Sequence, residues 1–215
     1  MGLTVHYSNG QAKDRSKLDA CIGFVKEVAE RLPCRYEVVD TTLSAQLDDW
    51  LRPNNPKNGQ LVTVRQKGII LFLDEGAEPL TITFDYDTLE FCNYFISVKD
   101  GTLNKTGFFC KTQYAKNFLR THHTACKLLA ILKAKYLPQL HVVDEGEYFG
   151  TWDMQKLAGT IEEWNSLIAN FAENISKAAK DTGLKFEGAG MELYKDIKLK
   201  KMFEDGPNSG ESSFA

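Results

Sequence analysis

The sequence predicts an α+β protein: a mixed sheet with strand-helix-strand units at each end, antiparallel hairpins in the middle and a long C-terminal helix. Three observations carry that expectation. A helical apolar pattern flanked by short β-prone runs occurs twice, between residues 3 and 39 and between 107 and 143. Several β-prone runs broken by polar turns lie between these units. Beyond Gly150, apolar residues recur in heptads.

The central helix is the most apolar stretch. Phe118, His122, Ala125, Cys126, Leu129, Leu132 and Tyr136 follow helical spacing, and Leu128 and Ile131 widen the stripe until it nearly encircles the helix. Such a helix must be covered. Its flanking runs, 107–112 and 139–143, read as strands, and the segment carries His122, His123 and the acidic group Asp144, Glu145 and Glu147.

Nearer the start, residues 3–7 alternate as a strand and Ser8-Asn9-Gly10 stops them. Leu18, Cys21, Ile22, Val25, Val28, Ala29 and Leu32 then mark a helix, with Ser16 and Asp19 spaced as a capping box and Pro33 at its end. A strand over 35–39 comes next, and a unit of this kind is expected to be parallel. DDWLRPNNPKNG, residues 48–59, reads as a surface loop. Short strands are expected over 61–64, 68–73, 80–86 and 91–98.

Past Gly150, Leu157, Ile161, Trp164, Ile168, Phe171, Ile175 and Ala178 step by four and three. A helix over 153–181 would be roughly 40 Å long. Gly159 inside it costs about 1 kcal/mol relative to alanine. The domain organisation expected is a single α+β domain over 1–183 and an extension over 184–215, partly disordered, in which 191–203 has an amphipathic pattern.

Composition narrows the function classes. The chain has 215 residues, 43% hydrophobic and 26% charged, so it can bury a core without staples. A net charge of -3 lacks the clustered cations that phosphate neutralisation needs, so no nucleic-acid partner is expected. The aromatics Phe84, Tyr86, Phe91 and Tyr94 could stack single-stranded bases, but a sheet core needs the same spacing. Five cysteines, odd in number and without a CxxC pair, point to a reducing cytoplasm. MGLTVHYSNG shows no basic leader before an apolar run, and no run reaches about eighteen apolar residues, so neither secretion nor a membrane span is expected.

Two functional readings emerge. HExxH, GxSxG and P-loop patterns are all missing, which favours a non-enzymatic interaction protein: an inhibitor, an immunity-type module or an oligomeric adaptor. Its interface would be the 153–181 helix, through Trp164, Ile168, Phe171 and Ile175, binding a protein partner or a second copy. The alternative is a small acid/base or metal-assisted hydrolase or ligand-binding enzyme. Its site would lie at strand ends near Lys111, His122, His123, Asp144 and Glu145, where a histidine beside a carboxylate serves as general base or metal ligand. Sequence names no particular cofactor.

Each of these residues also has a plain structural account. His122 is in register with the core stripe, and Asp144-Glu145 suits a strand-ending turn with one carboxylate capping the next helix. Tyr148, Phe149 and Trp152 can close a core, Asp74-Glu75 suits a hairpin turn, and Cys110 suits a buried strand rather than a nucleophile activated by Lys111.

Overall fold

The computed structural model describes residues 3–163, with 166 and 170. The chain divides into two units, 1–158 and 159–215. The first holds every named element; in the second, 159–163 are helical. The expected boundary at 183, the extension after it and the heptad residues from Trp164 onward lie outside the described residues.

The α+β class is found, with the strands shared between two sheets. The smaller has the order β7 (Phe108–Lys111), β1 (Thr4–Ser8), β8 (His141–Asp144), and both neighbours run antiparallel to β1. β7 and β8 therefore point the same way, with Lys111 opposite Thr4 and Asp144 opposite Val5. Their carboxyl ends share one rim, where β1 begins. β1 ends at the other.

The second sheet is a meander that curls on itself: β2 (Arg35–Asp48), β3 (Leu61–Phe72), β4 (Leu80–Asp85), β5 (Asn93–Ile96) and β6 (Leu103–Thr106). β2, β3 and β4 pair in turn, β5 pairs with β6, and β6 returns to β2 in parallel. At the remaining seam Phe84 bridges Phe91, and the Cys92 N–H donates to the Thr83 carbonyl at 3.0 Å. Gln66 crosses to the Tyr94 backbone, donating to its carbonyl at 3.4 Å and accepting its N–H at 2.5 Å.

Several expectations change here. β2 does not lie beside β1, because β7 and β8 already occupy both of its edges, so the first unit joins two sheets instead of making a parallel pair. The runs 61–64 and 68–73 are one strand. Gly68 allows this: its φ is 158° and a Cβ there would meet the Ile82 carbonyl oxygen at 2.1 Å, so only glycine lets β4 approach so closely. β6 was not foreseen, since LNKT lacks an apolar alternation.

α1 (Arg15–Arg31) buries Leu18, Cys21, Val25 and Ala29 as expected. Its cap is Asp14, whose carboxylate accepts the Lys17 N–H at 2.8 Å, two residues before the expected Ser16. α2 (Phe118–Lys135) is covered over most of its surface, with Phe118, Thr121, His122, Ala125, Cys126, Leu128, Leu129 and Leu132 buried. Asn117 gives it no side-chain cap. Asp74 does so from afar, accepting the Asn117 N–H at 2.8 Å and the Thr121 hydroxyl at 3.1 Å. The turn read at Asp74-Glu75 thus also anchors the central helix.

The two sheets meet through Tyr7, which is 2% exposed. Its hydroxyl donates to the Thr81 carbonyl at 3.1 Å and accepts the Thr81 N–H at 3.0 Å. β4 would otherwise present those groups as an unpaired edge. The Tyr7 ring packs on Phe91, which also meets Phe84 and lies 4.1 Å from Phe108 between ring centroids; Phe84, Phe91 and Cys92 are all buried. Two of the aromatics considered for base stacking are therefore core. No helix among the described residues is long and apolar enough to cross a membrane.

Candidate functional site

The rim at the carboxyl ends of β7 and β8 gathers most of the residues that carry chemistry. α2 packs there with His122 and Cys126, one turn apart on one helix face. β8 ends at Asp144, and the chain turns through Gly146 and Glu147 into α3 (Tyr148–Thr151). Both oxygens of Asp144 hold that turn. Oδ1 accepts the Gly146 N–H and Oδ2 accepts the Phe149 N–H, each at 2.8 Å. This is the capping role expected of a strand-ending aspartate.

His122 lies between Thr112 and Asp144. Its Nδ1 is 2.7 Å from the Thr112 hydroxyl, and its Nε2 is 3.1 Å from Asp144 Oδ1. The second contact is within ion-pair range but off-line for a ring N–H, so Nε2 is buried without an aligned hydrogen bond. The contact is electrostatic. Its neighbours offer further donors: the Cys126 thiol is 3.9 Å from Asp144 Oδ2.

Burial by itself would raise the Asp144 carboxyl. His122 and the Phe149 and Gly146 N–H groups more than offset it, so Asp144 sits below the usual carboxylate range. Burial, then the Asp144 charge, pushes the Cys126 thiol well up. The side chains of His122 and Asp144 are 0% and 2% exposed, so solvent does not reach the pair.

The other expected site residues spread outward from this pair. His123 bonds through Nδ1 to the Tyr148 hydroxyl. Glu145 is exposed; its carboxylate accepts the Thr4 N–H at 3.0 Å and lies 3.4 Å from His6 Nε2. Lys111 is half-buried on β7, and its N–H donates to the Glu78 carboxylate at 3.1 Å. Cys110 donates to the Glu78 carbonyl, and burial, then Glu78, pushes its thiol up to about 12. That matches the structural account of a buried strand thiol and leaves no thiolate activated by Lys111.

Sequence reasoning missed Thr112, Cys126 and Gly146 as members of the group. Cys126 lies four residues after His122, and that spacing was the available signal. Thr112 and Gly146 had none, since only the fold brings the ends of β7 and β8 together.

The opposite rim is built differently. Ser8, Asn9, Gly10 and Gln11 line an open cleft of about 510 Å³, with Arg52, Lys105 and Gln139 around it and Phe91 and Phe108 at its base. Asn9 adopts a left-handed φ of 58° to make the turn. Residues 8–10 thus lie here and 144–146 on the sealed rim, while 40–42 are in the middle of β2 in the other sheet. No protein-family model, curated protein or solved structure matches this chain.

Proposed function

We propose that the chain works by binding a protein partner. The supporting observation is a group of exposed apolar side chains at one end of the five-stranded sheet. Trp50, Leu51, Leu61, Phe95, Ile96 and Val98 are all exposed, Val98 fully. Pairing register puts two of them on one face of this end: Leu61 lies opposite Gln46, and Phe95 shares a row with Asn104 and Asp48, two residues further along β2. Under them sits a small core of Leu47, Val64 and Leu103 that holds this end in shape. A clustered apolar surface of this kind marks an interaction site. Aromatic anchors such as Trp50 and Phe95 supply binding energy when a partner desolvates them. Pairing through the heptad stretch 153–181, by Trp164, Ile168, Phe171 and Ile175, is a second route to the same proposal, read from the sequence alone.

The test is a photo-crosslinking amino acid at Phe95 or Leu61, with Arg31 on α1 as the control position. The expected result is one discrete adduct from the first two positions, either a dimer of this chain or a single heterologous protein, and none from Arg31. A strictly monomeric chain giving no adduct at Phe95 or Leu61 overturns the reading.

The enzymatic alternative at Lys111, His122, His123, Asp144 and Glu145 draws on one observation, the 3.1 Å approach of His122 to Asp144. A general base must also reach a substrate proton. Burial of both side chains weighs against that role.

A further inference from the structure

The geometry points to a site for a thiophilic divalent cation, with zinc the best fit, held by His122 Nε2, Cys126 Sγ and the Asp144 carboxylate. The three ligand atoms lie within 4.8 Å of one another. With bonds of about 2.0–2.1 Å to nitrogen and oxygen and about 2.3 Å to sulfur, a tetrahedral ion spaces N from O by about 3.4 Å and S from O by about 3.6 Å. The distances here are 3.1 Å from Nε2 to Oδ1 and 3.9 Å from Sγ to Oδ2 of the same carboxylate. With no pair beyond 4.8 Å, a side-chain shift of up to about 1 Å closes the set.

Three further features suit an ion. Nε2 is fully buried with no aligned hydrogen bond, although 3.1 Å from a carboxylate oxygen. A cation between the two atoms would satisfy both. Thr112, on the far side of the ring, can accept a hydrogen bond from Nδ1–H at 2.7 Å, which leaves the Nε2 lone pair free to ligate. Gly146 packs closely against the group, where a side chain would crowd it. A Cβ there would stand 3.3 Å from Asp144 Oδ1, 3.5 Å from His122 Nε2 and 2.7 Å from Leu157 Cδ1.

One thiolate, one imidazole and one carboxylate form a donor set for zinc rather than for magnesium or calcium, which take oxygen ligands. Metal binding requires the cysteine to lose its proton, so one proton leaves as the thiolate-metal bond forms. The ion would tie α2 to the end of β8, and Leu157 would cover it. The inference does not rest on the partner reading.

The experiment uses the full chain, reduced and stripped with a chelator, titrated with Co²⁺ while its folding is followed by circular dichroism. One equivalent is expected to bind with tetrahedral ligand-field bands and a thiolate-to-cobalt charge-transfer band. Cys126→Ser is expected to abolish that band and weaken binding by more than about 10-fold, and Gly146→Ala to weaken it by about 10-fold; outer-shell changes alone cost about 10–100-fold. Cys34→Ser is expected to change nothing. X-ray absorption of the zinc-loaded unmodified chain is expected to show a single sulfur at about 2.3 Å with nitrogen and oxygen completing the shell. That measurement decides the matter if a variant fails to fold. A folded chain that binds no cobalt, a charge-transfer band surviving Cys126→Ser, or a zinc shell with no sulfur or several overturns the proposal.

Discussion

The two rims of the three-stranded sheet are built from the same three strands and have opposite characters. At one, where β7 and β8 end, Thr112, His122, Cys126 and Asp144 are packed away from water. At the other, where β1 ends, Ser8 to Gln11 face a cleft of about 510 Å³ but bring no paired titratable groups. Chemistry and room are on different sides. A buried polar group must find partners, and among the described residues His122 Nε2 is buried without an aligned hydrogen bond, 3.1 Å from Asp144 Oδ1. A rim open to solvent has no such demand and can carry polar side chains singly.

The sharpest way to break this contrast is Asp144→Ala. It would strip the Gly146 and Phe149 N–H groups of their acceptor and leave His122 without its charged neighbour. Removing one member of a buried pair costs about 3–5 kcal/mol. Urea unfolding is expected to show a loss of that size in the metal-free chain, and a loss below about 1 kcal/mol would mean that the rim is wetter than the contrast requires. Tyr7→Phe is expected to cost less, about 1–3 kcal/mol, by stranding the Thr81 N–H and carbonyl between the sheets.

A smaller effect concerns pH. Burial would raise the Asp74 carboxyl, but bonds from Asn117, Glu75 and Thr121 outweigh it and hold it below its usual value. With the folded value lower than the unfolded one of about 3.9, the stabilisation is complete above that pH and is lost as pH falls through the folded value. Asp74→Asn is therefore expected to flatten the acid limb of the stability curve and to leave its shape at neutral pH unchanged. Acid titrations of the two chains that stay parallel would contradict the anchoring role. On the open rim, Lys105→Ala and Gln139→Ala are each expected to move stability by no more than about 0.5 kcal/mol. A larger change at either position would show that this rim is also structural.

Legibility in the sequence divides along the same line. The stripe through Phe118, Ala125, Leu129 and Leu132 named a covered helix correctly, because a 3.6-residue period is local information. His122 belonged to that stripe and is buried, bonded to Thr112 and not to a backbone carbonyl. The loop over 48–59 was legible from its prolines, asparagines and glycine, although Asp49 was not. That aspartate, 1% exposed, ties the loop together by accepting bonds from Arg52 and Asn55. Strand partners were not legible. The pattern TVHYS says that a strand exists, but nothing in it says that β7 and β8 will take both edges and send β2 to another sheet. That choice rests on contacts more than 100 residues apart in the chain.

The central claim is that the His122 and Asp144 rim is closed to solvent in the folded chain. The most direct test treats the native, metal-free chain with diethyl pyrocarbonate and maps the modified histidines by mass spectrometry. His6 and His141, both exposed, are expected to react at once, and His122 only after unfolding. Modification of His122 in the folded chain at the rate of His6 would contradict the account.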